Sequence, residues 1–166
     1  MFRPMRRIRQ QLSQTEAEAV MARGKSGILA VLGDGGYPYA VPLSYLWQDG
    51  RIYFHCAPEG HKLDAIRACD RVSFCVVDQD EIAPERFTTY FRSAIAFGRA
   101  RIVASDEERR AAIDRLAEKY SPNMPEAKAA EIGSAWNHLC MVCIDVEHLT
   151  GKEAIELVSA RPSENQ

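Results

Sequence analysis

No stretch of this chain is long and apolar enough to span a bilayer. The four arginines near its start (Arg3, Arg6, Arg7, Arg9) lack the apolar run behind them that would make a signal peptide. The cytoplasm is the expected compartment, with no membrane partner. An excess of charge of one sign is missing too: 21 Lys and Arg stand against 23 Asp and Glu, a formal net charge of −2, so no basic field exists for duplex nucleic acid. Cysteines are few and odd in number, five in a 166-residue chain that can bury a core without covalent staples, which predicts reduced thiols. Cys140-Met-Val-Cys143 has redox-like spacing, but strand residues three apart point to opposite faces, so these read as core thiols. His55, Cys56, His61 and Cys69 fit no common zinc spacing, and no metal site is expected. A Gly-x-Gly-x-x-Gly fingerprint, a convincing nucleophile triad and internal repeats are all absent.

What is present is an ordinary globular composition, 46% hydrophobic and 27% charged. The reading is one domain over residues 1–160 with a frayed tail at 161–166. Ser13-x-x-Glu16 and Ser105-x-x-Glu108 are capping-box patterns, each opening a helix; Gly24 is placed to end the first. Apolar runs at Gly27–Leu32, Tyr37–Trp47 and Arg51–Cys56, separated by Gly33-Asp34-Gly35-Gly36 and Asp49-Gly50, predict three consecutive antiparallel strands. Further strands are expected at Val72–Val77, Tyr90–Val103 and Leu139–Val146, with helices at about 61–69, after Ser105, and from Glu126 to about Trp136. The order β-β-β-α-β-β-α-α-β with hairpin connections predicts a mainly β fold, an antiparallel barrel decorated by helices.

Residues 52–66 carry the most chemistry. An apolar strand runs through Pro58-Glu59-Gly60 into a helix whose first residues are His61 and Lys62. The free N–H groups of a first helical turn and its positive dipole end make an anion site, and these side chains add charge to it. Without an anion, cations there are mildly unfavourable.

In order and spacing, several segments resemble the FMN-binding split-barrel proteins related to pyridoxamine-phosphate oxidase, and among them the nitroimidazole-resistance (Nim) branch. They are the opening Met-Phe-Arg-Pro-Met-Arg-Arg, Tyr37-Pro38-Tyr39-Ala40-Val41-Pro42-Leu43-Ser44-Tyr45, Ile52-Tyr53-Phe54-His55, Gly60-His61-Lys62-Leu63-Asp64-Ala65-Ile66, Val72-Ser73-Phe74 and Phe97-Gly98-Arg99-Ala100. The resemblance implies a six-stranded antiparallel Greek-key split β-barrel with flanking helices, and FMN at the interface of a homodimer. It places Val41, Pro42, Leu43 and Ser44 along the flavin ring, largely through backbone groups. His55 and Cys56 fall near the ribityl chain and phosphate, Gly60, His61 and Lys62 at the phosphate clamp, and Ser93 reaches the flavin from the partner subunit with Arg92 beside it.

Departures from that family are equally informative. The oxidases close with arginines that grip pyridoxal phosphate, whereas this chain carries Thr150-Gly151-Lys152-Glu153 and a polar tail, which argues against vitamin B6 oxidation. His61 stands where the oxidases usually carry arginine and makes the phosphate clamp weaker and dependent on pH. The expected activity is FMN-dependent reduction of a small organic acceptor such as a nitroimidazole or nitro-aromatic, with His61 as proton donor if it faces the substrate. Alternatives are a non-catalytic flavin or F420 carrier, and a haem-binding split barrel with His55 or His61 as axial ligand.

Overall fold

The computed structural model describes residues 1–160; the expected tail at 161–166 lies outside them. Seven strands form one antiparallel sheet: β1 Gly27–Leu32, β2 Pro38–Leu43, β3 Leu46–Gln48, β4 Arg51–Cys56, β5 Arg71–Ala83, β6 Thr88–Ile102 and β7 Cys140–Glu153. Five α-helices accompany it: α1 Gln14–Arg23, α2 His61–Ala68, α3 Asp106–Tyr120, α4 Pro125–Ala135 and α5 Ile155–Ser159.

The sheet order is β2-β1-β5-β6-β7-β4-β3, which puts β2 and β3 at opposite edges although only Ser44 and Tyr45 separate them in sequence. Laid flat, those edges would be about 29 Å apart, while the chain from Leu43 to Leu46 reaches about 10 Å. The sheet must therefore curl until its edges meet, giving a barrel with one seam that carries no ladder. The expected six strands become seven because the run Tyr37–Trp47 breaks at Ser44-Tyr45, where the Tyr45 ring turns fully into the core and its hydroxyl donates to the Met21 carbonyl.

Two cores explain the unbroken apolar runs of β4 and β7. Ile52 and Phe54 of β4, with Val142 and Ile144 of β7, point into the barrel among Leu29, Phe74 and Val76, where α1 adds Val20 and Met21 and α2 adds Leu63 and Ile66. The alternating residues Tyr53, Met141 and Cys143 point outward beneath α3 and α4, against Ile113, Leu116 and Ile132. A strand buried on both faces has no polar side to show. Arg109 of α3 lies over the Trp136 ring, its guanidinium carbon 3.8 Å from the centroid, and ties α3 to the turn after α4.

Ser13 and Glu16 form the predicted capping box of α1. At α3 only half of it forms: the Glu108 amide donates to Ser105 Oγ, but the Glu108 carboxylate accepts from Arg101 and the Tyr53 hydroxyl. Gly24 ends α1 with an extended backbone, φ −60° and ψ 135°, that any residue can adopt, so its lack of a side chain serves packing: a Cβ there would strike the Tyr45 hydroxyl and Val76.

Candidate functional site

The end of β4 alternates like the rest of the strand. His55 therefore falls on the α3–α4 side and Cys56 at the rim of the barrel core. The chain then turns through Gly60, whose φ of 125° suits glycine, into α2. No side chain caps that helix, and the Gly60 carbonyl takes the amides of Leu63 and Asp64, which leaves those of His61 and Lys62 with no helical carbonyl beneath them.

Between this corner and the α3–α4 pair lies a cavity of about 890 Å³. Ser44, His55, Cys56 and Lys62, all picked out from the sequence, line one side of it. Tyr120, Lys128, Glu131 and His138 line the other, over an apolar floor that includes Ile113, Leu116, Ile132 and Leu139. Lys62 forms no ion pair among the described residues. Packing around His55, then the charge of Lys62, lowers the imidazole pKa below its ordinary value. Two basic groups thus converge on one corner beside a bare helix N-terminus, an arrangement completed by an anion.

His61 sits at the same helix terminus but does not line the cavity. Its ring stacks on Tyr39, centroids 4.2 Å apart, and Nε2 lies 3.7 Å from Asp34. Val41 and Leu43 pack their side chains against the barrel core while Pro42 points outward. Because β2 pairs only with β1, the backbone of its other edge faces the seam next to Ser44. Arg92 and Ser93 lie elsewhere on the molecule. Arg92 donates to Glu153 at 2.9 Å and to Asp78 at 3.4 Å, and Ser93 opens onto a separate hollow of about 410 Å³ with Met5, Phe91, Ile95, Thr150 and Lys152. Asp78 also accepts two hydrogen bonds from Arg23 at 2.6 Å, and these hold its carboxyl below the usual carboxylate range.

The four residues on the helical side of the cavity were not picked out from the sequence. Tyr120 read only as part of an apolar helical face, and nothing local says that α3 and α4 fold back over the end of β4. No cluster of metal-ligating side chains exists among the described residues. No helix among them is long and apolar enough to cross a membrane.

A family model described as pyridoxamine 5'-phosphate oxidase matches residues 13–153. No curated protein matches the chain. The fold is similar to that of a conserved hypothetical protein from Mycobacterium tuberculosis, with a TM-score of 0.80 and 20% identity over 98% of this chain and 97% of that one. A Bacteroides thetaiotaomicron protein described as a candidate 5-nitroimidazole antibiotic resistance protein gives a TM-score of 0.72 at 19% identity, over 86% of each chain. An FAD-binding protein from Mesorhizobium loti gives 0.61 at 26% identity, over 87% of this chain and 97% of that one.

Proposed function

The chain belongs to the pyridoxamine 5'-phosphate oxidase family, and from that premise we propose that it is a flavin-dependent oxidoreductase that binds FMN and reduces a small organic acceptor, a nitroimidazole or nitro-aromatic being the class suggested by the Nim resemblance. One observation carries the reading. Ser44, His55, Cys56 and Lys62, from three separate stretches of sequence, meet at one cavity where Lys62 has no ion pair among the described residues.

In this reading Lys62, the free amides of α2 and His55 hold the phosphate, and the seam-facing backbone of Val41, Pro42 and Leu43 with Ser44 runs along the ring. His61, turned onto Tyr39, belongs to the phosphate end with Gly60 rather than to proton donation. A bound flavin would supply two-electron transfer to the acceptor. The remaining cavity, walled by α3 and α4 over its apolar floor, keeps water from a planar acceptor.

A second copy of the chain completes the site. The outward sheet face carries Ile28, Leu32, Val77, Ile95 and Phe97, all more than a third exposed, and Ser93 lies on it; in this reading the face meets a second copy and Ser93 would reach the flavin of the partner.

The test is a visible absorption spectrum of the purified chain before and after adding FMN or FAD, followed by dialysis. Stoichiometric retained FMN, reducible and then reoxidised by a nitro-aromatic, is the expected result. A protein that stays colourless after both additions, or one that shows a Soret band, overturns the reading.

A further inference from the structure

All five cysteines are free thiols. Two of them are neighbours in space although 84 positions apart: Cys56, the last residue of β4, and Cys140, the first of β7, are direct partners in the antiparallel ladder. Directly opposed residues in such a ladder have Cα atoms about 4.5 or 5.5 Å apart, and both values fall inside the range a disulfide spans, about 4.4–6.8 Å. Their side chains share a face, both packing at the rim of the barrel core, and both residues are half-buried. As strand ends they adjoin the Ala57–Gly60 loop and the Trp136–His138 turn, so the backbone has slack to meet the dihedral a disulfide demands.

None of the other cysteines has such a partner. Cys143 is fully buried on the opposite face of β7, across from Tyr53. Cys75 stands between Ile28 and Ile95, and Cys69 follows the end of α2.

We propose that Cys56 and Cys140 form a reversible cross-strand disulfide, a redox modification site at the mouth of the cavity that Cys56 lines. The oxidant is a small-molecule disulfide of the glutathione class. The Cys140 thiolate attacks one sulfur of that oxidant, expelling a thiolate and forming a mixed disulfide. The Cys56 sulfur, giving up its proton, then attacks the Cys140 sulfur and expels the second thiolate. Two protein thiols have lost two electrons and two protons, and one small disulfide has become two thiols. Burial, with Cys140 beside it, pushes the Cys56 thiol up to about 11, so little of it is thiolate and it enters only once the mixed disulfide holds an electrophilic sulfur against it.

The experiment is to incubate the folded full-length chain with glutathione disulfide, then alkylate, denature and weigh it. Expected are three alkyl groups on the denatured, alkylated chain instead of five, with two hydrogen atoms fewer than three alkylations alone account for, a peptide map joining the Cys56 and Cys140 peptides, and full reversal by dithiothreitol. Cys143→Ser should behave as the parent, and Cys56→Ser should instead trap glutathione on Cys140. A parent chain that carries glutathione on Cys140 without bridging, that bridges another pair, or that remains fully reduced overturns the proposal. Each readout is of sulfur alone, so its outcome is independent of whether the chain binds flavin.

Discussion

Lys62 costs the apo protein little and, in the proposed function, contributes most of the charge that holds the phosphate. It has no ion pair among the described residues, so Lys62→Ala should leave the thermal unfolding of the apo chain nearly unchanged. It should weaken FMN binding by about 1.5–3 kcal/mol, the range of a charge-assisted hydrogen bond, or roughly 10- to 150-fold in Kd. Fluorescence titration of FMN against both chains measures this, and equal affinities would remove the phosphate assignment. His55 reports on the same corner through its proton. Its pKa in the fold lies below the ordinary 6.5 because of its packing and Lys62, so as pH falls below about 6.5 the unfolded chain takes up a proton that the fold resists, and stability declines. An anion bound beside Lys62 reverses the balance. NMR titration of the His55 ring should give a value that rises on adding FMN, and one that rises in Lys62→Ala without it. Because the ring reaches solvent at the cavity mouth, the stability effect is small and the spectroscopic signal is the decisive one.

The end of α3 determines where the seam of the barrel places Ser44. The Tyr120 hydroxyl accepts from the Tyr45 amide at 3.0 Å and faces the carbonyls of Lys25 at 2.6 Å and Tyr45 at 3.0 Å. Lys119 donates to the carbonyls of Gly24 at 2.7 Å and Tyr45 at 3.0 Å. One helical turn thus ties down the two-residue link between β2 and β3. Tyr120→Phe removes that hydroxyl from a part-buried amide and should cost about 1–3 kcal/mol in urea unfolding, with a measurable fall in flavin affinity because Ser44 loses its support. Gly98→Ala should be more damaging. It sits where the β6–β7 register shifts, and a Cβ there would run into the Asp145 carbonyl oxygen, which as backbone cannot swing aside. A drop in the midpoint of thermal unfolding larger than that of Tyr120→Phe is expected. Contacts of this kind mark the limit of what the sequence discloses. The hairpin turns at Gly33–Gly36 and Asp49-Gly50 and the Ser13 cap were legible because each depends on residues within a few positions. The second half of β7 was not, since Val146–Glu153 has only Val146 and Leu149 as apolar side chains among polar ones, with no strand period, and is a strand because β6 lies beside it. In the same way Ser44, His55, Cys56 and Lys62 were legible from their motifs, whereas Tyr120, Lys128, Glu131 and His138 join the cavity through a helical fold-back that no local pattern encodes.

Across the whole molecule the two cores are unequal in their cover. The barrel interior is sealed by α1 and α2 and the outer side of β4 and β7 by α3 and α4, but the outward face of β1, β5 and β6 keeps its apolar side chains in water. The sheet register puts them in rows: Ile28 opposite Cys75, Cys75 opposite Ile95, and Ile95 opposite Thr150, with Phe97 and Val77 on either side. A face of this kind is self-complementary when two copies meet about a two-fold axis, since each then presents the same rows to the other, and a stable dimer buries about 800 Å² per partner. The same axis would bring Ser93 and its hollow to a second chain. Ile95→Asp sets a charge in the middle of this surface without touching either core. By light scattering coupled to size exclusion it should convert a dimer into a folded monomer, and the monomer should lose FMN together with the dimer. Ser93→Trp separates the two effects, for a bulky ring there should leave the dimer intact and still exclude the flavin. Normal FMN binding by a Ser93→Trp dimer would move the cofactor away from this face, and a monomeric parent chain that retains FMN would confine the whole site to one subunit.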